Sequence, residues 1–187
     1  MSPQTSVNDE PDQTYEGKVQ VGGQYPTTYV SRIADELIYF GKAVSLLSAT
    51  ELEVGGAAGG PQAVKLPTSV TDVTELFQGV APADPSVQRT RTAGVDDDFG
   101  AYIAQSSVQV LRKGLVWVVV DTALASIADG VYVRYASPGG TPPTDSLGSF
   151  DTVSIATENE ELTNGVSWAG SASINGVNFA LLELNLP

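Results

Sequence analysis

Neither histidine nor cysteine occurs anywhere in the 187 residues of this chain. Their absence removes the side chain that titrates near neutrality, the thiolate nucleophile and the commonest zinc ligands, so Ser-His and Cys-His catalysis are excluded. Without disulfides, stability has to come from packing or assembly. Positive charge is scarce too: 9 Lys and Arg face 22 Asp and Glu, a formal net charge of −13. The bases stand singly or in pairs, Lys42, Lys65, Arg89 with Arg91, Arg112 with Lys113, and Arg134, and read as ordinary surface or edge-strand charges. They form no stripe to neutralise phosphates, so no nucleic-acid partner is expected. Apolar runs stay far below the ~18 residues of a membrane span, and Met1 to Pro11 carry no basic, apolar leader, so neither a membrane partner nor a secretory signal is expected. Gly-rich phosphate loops, nucleophile elbows and metal motifs are missing as well, so the reading has no enzyme activity and no cofactor.

What is present is a Gly- and Val-rich chain, 42% hydrophobic, long enough for one sizeable core. Residues 1–28 read as an extended arm, broken by Pro3, Pro11, Gly17, Gly22, Gly23 and Pro26, with no lasting period of 2 or 3.6. Its buriable side chains are Val7, Tyr15, Val19, Val21 and Tyr25, too few to offset the entropy of ordering it, so the arm is expected to be fixed only by docking. Residues 29–187 read as the folded domain.

Short strands follow one another from Tyr29 onward. The segment from Ile38 to Leu47 is β-rich, with Gly41 marking a bulge or close approach. Strands are also predicted at Gln62 to Leu66 and Thr74 to Val80, and one helical turn at Ser31 to Leu37. The strongest core signal is Gln109 to Asp121: Leu115, Trp117 and Val119 point one way, and Val116, Val118 and Val120 the other. Such a strand is central in a sandwich or has one face in an interface. Arg112-Lys113-Gly114 reads as a turn with a basic tip. Val131 to Ala136 alternates as a half-buried strand, and Ser137 to Gly148 is a Pro-Gly loop. The clearest hairpin pairs Val166 to Ile174 with Val177 to Leu186 through a type I′ Asn175-Gly176 turn. An all-β fold follows, a jelly-roll-like sandwich or barrel with an extended N-terminal arm.

Several blocks carry a family resemblance by their order: Phe40-Gly41-Lys42-Ala43-Val44, Leu66-Pro67-Thr68, Phe77-Gln78-Gly79-Val80-Ala81, Val110 to Gly114 with Val116-Trp117-Val118, Val131 to Tyr135, and Leu182 to Pro187. In this the chain resembles the cement, or decoration, proteins of tailed-bacteriophage capsids. The resemblance implies a virion structural protein, made in the host cytoplasm, that stabilises the capsid from its outer surface by bridging adjacent major capsid protein subunits. It implies the major capsid protein and further copies of itself, as dimer or trimer, as partners. Candidate partner-binding residues are Val7, Tyr15, Val19, Val21, Tyr25 and Tyr29 along the arm and its exit, with Arg112 and Lys113 at the basic tip.

Other patterns have plainer readings. Asp96-Asp97-Asp98 lacks the alternate spacing and closing Glu of a calcium loop and reads as solvated. Glu158, Glu160 and Glu161 likewise read as a solvated turn. Among 22 acids some pair always meets the spacing of a glycosidase, so that signal is nearly empty. The alternative function is a lectin-like carbohydrate- or receptor-binding module, for which Trp168 is the open stacking candidate.

Overall fold

The structure, a computed structural model, describes residues 16–20, 26–51, 62–84, 100–136 and 147–187. Strands dominate, as the Val-rich alternation predicts: β1 (Val19–Gln20), β2 (Thr28–Ala34), β3 (Ile38–Tyr39), β4 (Ala43–Leu46), β5 (Ala63–Lys65), β6 (Phe77–Val80), β7 (Ala101–Tyr102), β8 (Ser107–Val119), β9 (Tyr132–Arg134), β10 (Phe150–Asp151), β11 (Asn159–Glu161), β12 (Val166–Ile174) and β13 (Val177–Asn185). Between β5 and β6 lies a short helix, α1 (Val70–Thr74), started by the Ser69 hydroxyl, which accepts from the Asp72 N–H.

The all-β reading holds, in barrel form. β8 pairs with β2, β2 with β5, β5 with β4, β4 with β6, and β6 returns to β8 through Val80 opposite Leu111. A ring of five strands cannot alternate direction all the way round, so one pair must be parallel. It is β2 with β5, where Ile33 faces Ala63 and Ala34 faces Val64. Closure depends on Gly79, whose φ is 140° and where a Cβ would lie 2.1 Å from the Leu111 carbonyl oxygen.

β8 spans 13 residues and serves two sheets. Its first half belongs to the barrel. Its second half, Lys113 to Val119, pairs with β13, which pairs with β12, while β1 takes the opposite edge with Val19 facing Val116. The handover occurs at a bulge: Thr28 and Tyr29 are neighbours on β2 but face Lys113 and Leu111, leaving Arg112 as the extra residue. The bulge inverts the alternation, so Leu111 before it and Val116, Val118 and Val120 after it enter one core. The basic turn predicted at Arg112-Lys113-Gly114 is therefore not there. The ladder to β13 carries the strand straight through, with Gly114 at φ 127° absorbing the twist.

Two cores result. The first lies between the β12–β13–β8 sheet and the β10–β9–β11 sheet and contains Trp168, Leu182, Leu184, Val133 and Phe150. The second fills the barrel with Ala34, Val44, Val64, Val108 and Val110, and the β3–β7 ribbon closes over it with Phe40 edge-on to Tyr102 at 5.2 Å. The Asn175-Gly176 hairpin is as predicted, both residues having positive φ (52° and 80°). The helical turn expected at Ser31 to Leu37 is instead mostly β2, whose Val30 and Ile33 pair with β8, while Ile33 and Ala34 also pair with β5. The Ile38 to Leu47 run splits into β3 and β4 around Gly41, where a Cβ would meet Glu16 Cγ at 2.2 Å, the close approach its glycine suggests. Glu158, Glu160 and Glu161 are not a free turn, since Asn159 to Glu161 form β11 against β9. The loop at 137–146 and the Asp96-Asp97-Asp98 run lie outside the described residues.

The segment 1–28 is described only at 16–20 and 26–28. Residues 16–20 are ordered by the body itself, contrary to the expectation of order on docking alone. Gly17 N–H donates to the Trp117 carbonyl (2.8 Å), Trp117 N–H to the Lys18 carbonyl (2.9 Å) and Ala83 N–H to the Gly17 carbonyl (2.8 Å).

Candidate functional site

Buried ion pairs hold the segments of the body at fixed positions. Lys42 Nζ donates to Glu16 Oε1 at 2.8 Å and to Ser149 Oγ at 3.0 Å, tying the incoming chain to β4 and to the residue before β10. Burial lifts the Glu16 carboxyl above its ordinary range, with Lys42 pulling the other way, and Glu16 Oε2 has no hydrogen-bond partner. Lys65 joins Glu51, Asp72 at 3.1 Å and Thr68 at 3.0 Å. Arg134 joins Asp121 at 2.9 Å, Asp151 at 3.5 Å and Glu158 at 3.6 Å. The reading of these bases as surface charges is thus corrected: Lys42, Lys65 and Arg134 are all buried, each neutralised by acids from other segments of the fold.

The Lys65 cluster makes stability pH-dependent. For Asp72 and Glu51 burial acts upward, but hydrogen bonds from Thr68 and Ser48 and the Lys65 ammonium outweigh it, leaving both below their ordinary 3.8 and 4.5. For Lys65 burial acts downward, and its two carboxylates outweigh it to leave the amine above 10.5. Depressed acids stabilise the fold above their unfolded pKa and lose that contribution as pH falls through the folded one. A raised lysine stabilises below 10.5 and loses it as pH rises further. The melting temperature of the full chain is expected to be flat between these limits with respect to this cluster. Lys65→Met is expected to shallow the acid-side decline in calorimetry at stepped pH.

Of the predicted partner-binding residues, four are described. Val19 is not free, because β1 turns it against the first core. Tyr29 is 43% exposed on β2, opposite Leu111. Arg112 and Lys113 lie within β8, not on a loop tip. Val7, Tyr15, Val21 and Tyr25 lie outside the described residues. Other exposed apolar side chains include Leu37 and Ile103, which flank the paired Ile38 and Tyr102 of the β3–β7 ribbon. A depression of about 410 Å³ opens between 127–131 and 161–167, edged by Asp129, Glu161 and Thr163. Among the described residues no three potential ligands cluster as a metal site, and no helix is long and apolar enough to cross a membrane.

The profile of the family described as structural cement protein (E217 gp24/Pam3 gp6) matches residues 3–185. The chain belongs to this family. No curated protein matches it. A chain from a solved structure titled "The capsid of Myoviridae Phage XM1" shares its fold at a TM-score of 0.59 and 17% identity, over 99% of this chain and 98% of that one. This is therefore a virion structural protein that stabilises a phage capsid, as the ordered blocks of the sequence imply.

In this cement protein Trp168, the candidate for sugar stacking, is core: it is 3% exposed, and its indole N–H donates to the Gly130 carbonyl at 3.0 Å. The lectin-like reading loses its platform. Two features escaped the sequence. Glu16 sits among residues of no periodicity, in a segment read as an arm, so nothing in the sequence marked it. Arg32 lies in a strand mistaken for a helical turn.

Proposed function

We propose that this cement protein bridges adjacent major capsid protein subunits from the outer surface of the shell. The family match over residues 3–185 carries the reading. The body supplies a rigid block and Glu16 a fixed exit. The 15 residues before it span up to roughly 50 Å when extended, enough to reach a neighbouring subunit with Val7 and Tyr15. Tyr29 and Lys113 would add contacts from the body. A net charge of −13 suits the side of the shell away from packaged DNA. Copies are further proposed to meet one another on the shell as dimers or trimers, each weak contact gaining from the others. The family role is structural, and the bridging needs no chemistry.

The test is a truncation. Because Glu16 is the partner of Lys42, the cut must stop before it. A chain lacking residues 2–15 is expected to keep the full-length melting temperature yet occupy cement-free capsids less, by cryo-imaging. Unchanged occupancy would end the bridging role of the arm.

A further inference from the structure

The charges of this chain are unevenly spread. From Leu162 to Leu182 there is no Asp, Glu, Lys or Arg, and this run, the longest free of charge in the sequence, holds β12 and most of the β13 strand that pairs with it. β13 lies between β12 and β8, but among the described residues β12 has β13 as its only neighbour, so its other edge ends the sheet.

The ladders fix which backbone groups that edge presents. Val120 N–H donates to the Asn178 carbonyl (3.0 Å), so Asn178 turns its backbone groups toward β8. Successive residues of an antiparallel strand turn theirs to opposite sides, so Phe179 turns to β12 and Ala180 to β8. Across the ladder Ala172 faces Phe179, Ser173 faces Asn178 and Ser171 faces Ala180. Ala172 therefore bonds to β13, whereas Ser171 and Ser173, both exposed, point their N–H and carbonyl groups away from it, out of the sheet edge. Natural sheets guard such edges with charged side chains, Pro or bulges. β12 has neither a charge nor a Pro, and its bulge, where Trp168 and Gly170 face Leu182 and Leu181, leaves Gly170 to Ile174 in regular register.

Ser171-Ala172-Ser173 reads the same in both directions. Turned about a two-fold axis through Ala172, the triplet of a second copy lies antiparallel to the first, Ser171 opposite Ser173 and Ala172 opposite its own counterpart. Each outward Ser N–H then meets an outward Ser carbonyl, as an isologous contact requires. Charge agrees. A second chain of −13 is repelled over most of the surface but not along this run. Glu183, opposite Ser167, stays roughly 30 Å from its counterpart along the strands, about three Debye lengths at 0.1 M salt.

We propose that the β12 edge is a two-fold contact between copies of this chain, resting on the reading above that copies meet on the shell and narrowing it to pairs. So few backbone bonds make a weak contact, which the shell strengthens by holding copies close.

The chain contains no cysteine, so one introduced thiol reports the contact without background. The full chain carrying Ala172→Cys, bound to cement-free capsids and mildly oxidised, is expected to form disulfide-linked dimers at least about tenfold faster than Ser167→Cys, because residues facing across a non-hydrogen-bonded pair have Cα atoms about 4.5 Å apart, within disulfide reach. Adding Ser173→Pro removes an outward N–H that β13 does not use, and is expected to abolish the crosslink while the melting temperature changes little. If the Pro variant does not fold, Ser171→Glu with Ser173→Glu sets like charges opposite one another at exposed positions and should do the same. Equal rates for Ala172→Cys and Ser167→Cys, or a crosslink that survives the edge variants, overturn the two-fold contact. No crosslink at Ala172, together with lower capsid occupancy of Ser173→Pro, assigns the edge to a strand of the capsid subunit and likewise overturns it. If the wild type does not bind capsids, the bridging function fails, and the edge is judged by the same two rates in concentrated solution, where an excess at Ala172 sustains it and equality refutes it.

Discussion

Lys42→Met is expected to lower the unfolding free energy by about 3–5 kcal/mol, because it strands the Glu16 carboxylate in a site with almost no solvent contact. The loss reflects the buried charge left behind more than the value of the pair itself. Adding Glu16→Gln should therefore recover most of it, since a neutral amide is cheaper to bury than an unpaired anion. The sign of the pH dependence separates this from a cavity effect. Burial raises the folded-state pKa of Glu16 above its unfolded value. In the Lys42→Met protein the folded state thus holds its proton more tightly, so the destabilisation grows as pH rises above the unfolded value of 4.5 and shrinks on acidification toward it. A cavity would cost the same at every pH. Denaturant titrations of the single and double variants at stepped pH decide between them.

Gly79→Ala is expected to cost on the order of 3 kcal/mol and to open the barrel at its closing seam. Two penalties coincide there: φ of 140°, which L side chains rarely adopt, and a Cβ lodged 2.1 Å from the Leu111 carbonyl oxygen. Since β6 reaches β8 through Val80 opposite Leu111, backing away from that clash separates the two strands. Amide exchange should then quicken at Val80 and Leu111 while the β12–β13 hairpin stays protected. Gly170→Ala is the control: nothing lies within 4 Å of its added Cβ and its φ is unexceptional, so its cost should stay within about 0.5 kcal/mol. Equal losses for both glycines would refute the seam argument.

The β12–β13 hairpin was legible because each of its determinants is local. Asn175-Gly176 supplies the positive φ pair, and alternation in β13 sends Ala180, Leu182 and Leu184 into one core. The faces of β8 beyond residue 114 were legible for the same reason. Its passage through Arg112-Lys113-Gly114 was not, since a bulge is defined by the register of another strand, and β2 lies about 80 residues earlier in the chain. Burial of Lys42, Lys65 and Arg134 was hidden similarly: a lone base in a β-rich run looks alike whether its acid is across a barrel or absent. Helix α1 is five residues long and rests on one capping serine, too little periodicity to compete with a strand reading of Thr74 to Val80. Tyr29, expected at the exit of the arm, is an exposed aromatic on β2, while the hydrogen bond from Arg32 to Gln78 joins residues 46 apart in the chain and shows only in the fold.

Because β8 runs unbroken from the barrel into the open sheet, it also decides how the molecule carries mechanical load. Tension applied between the barrel and the β12–β13 hairpin runs along the strand direction and so meets the β8–β13 and β8–β2 ladders in shear, where hydrogen bonds must rupture together and not one after another. A particle swollen from within by packaged genome loads whatever stabilises it, and a stabilising protein loaded lengthwise along a paired strand yields last at its own waist.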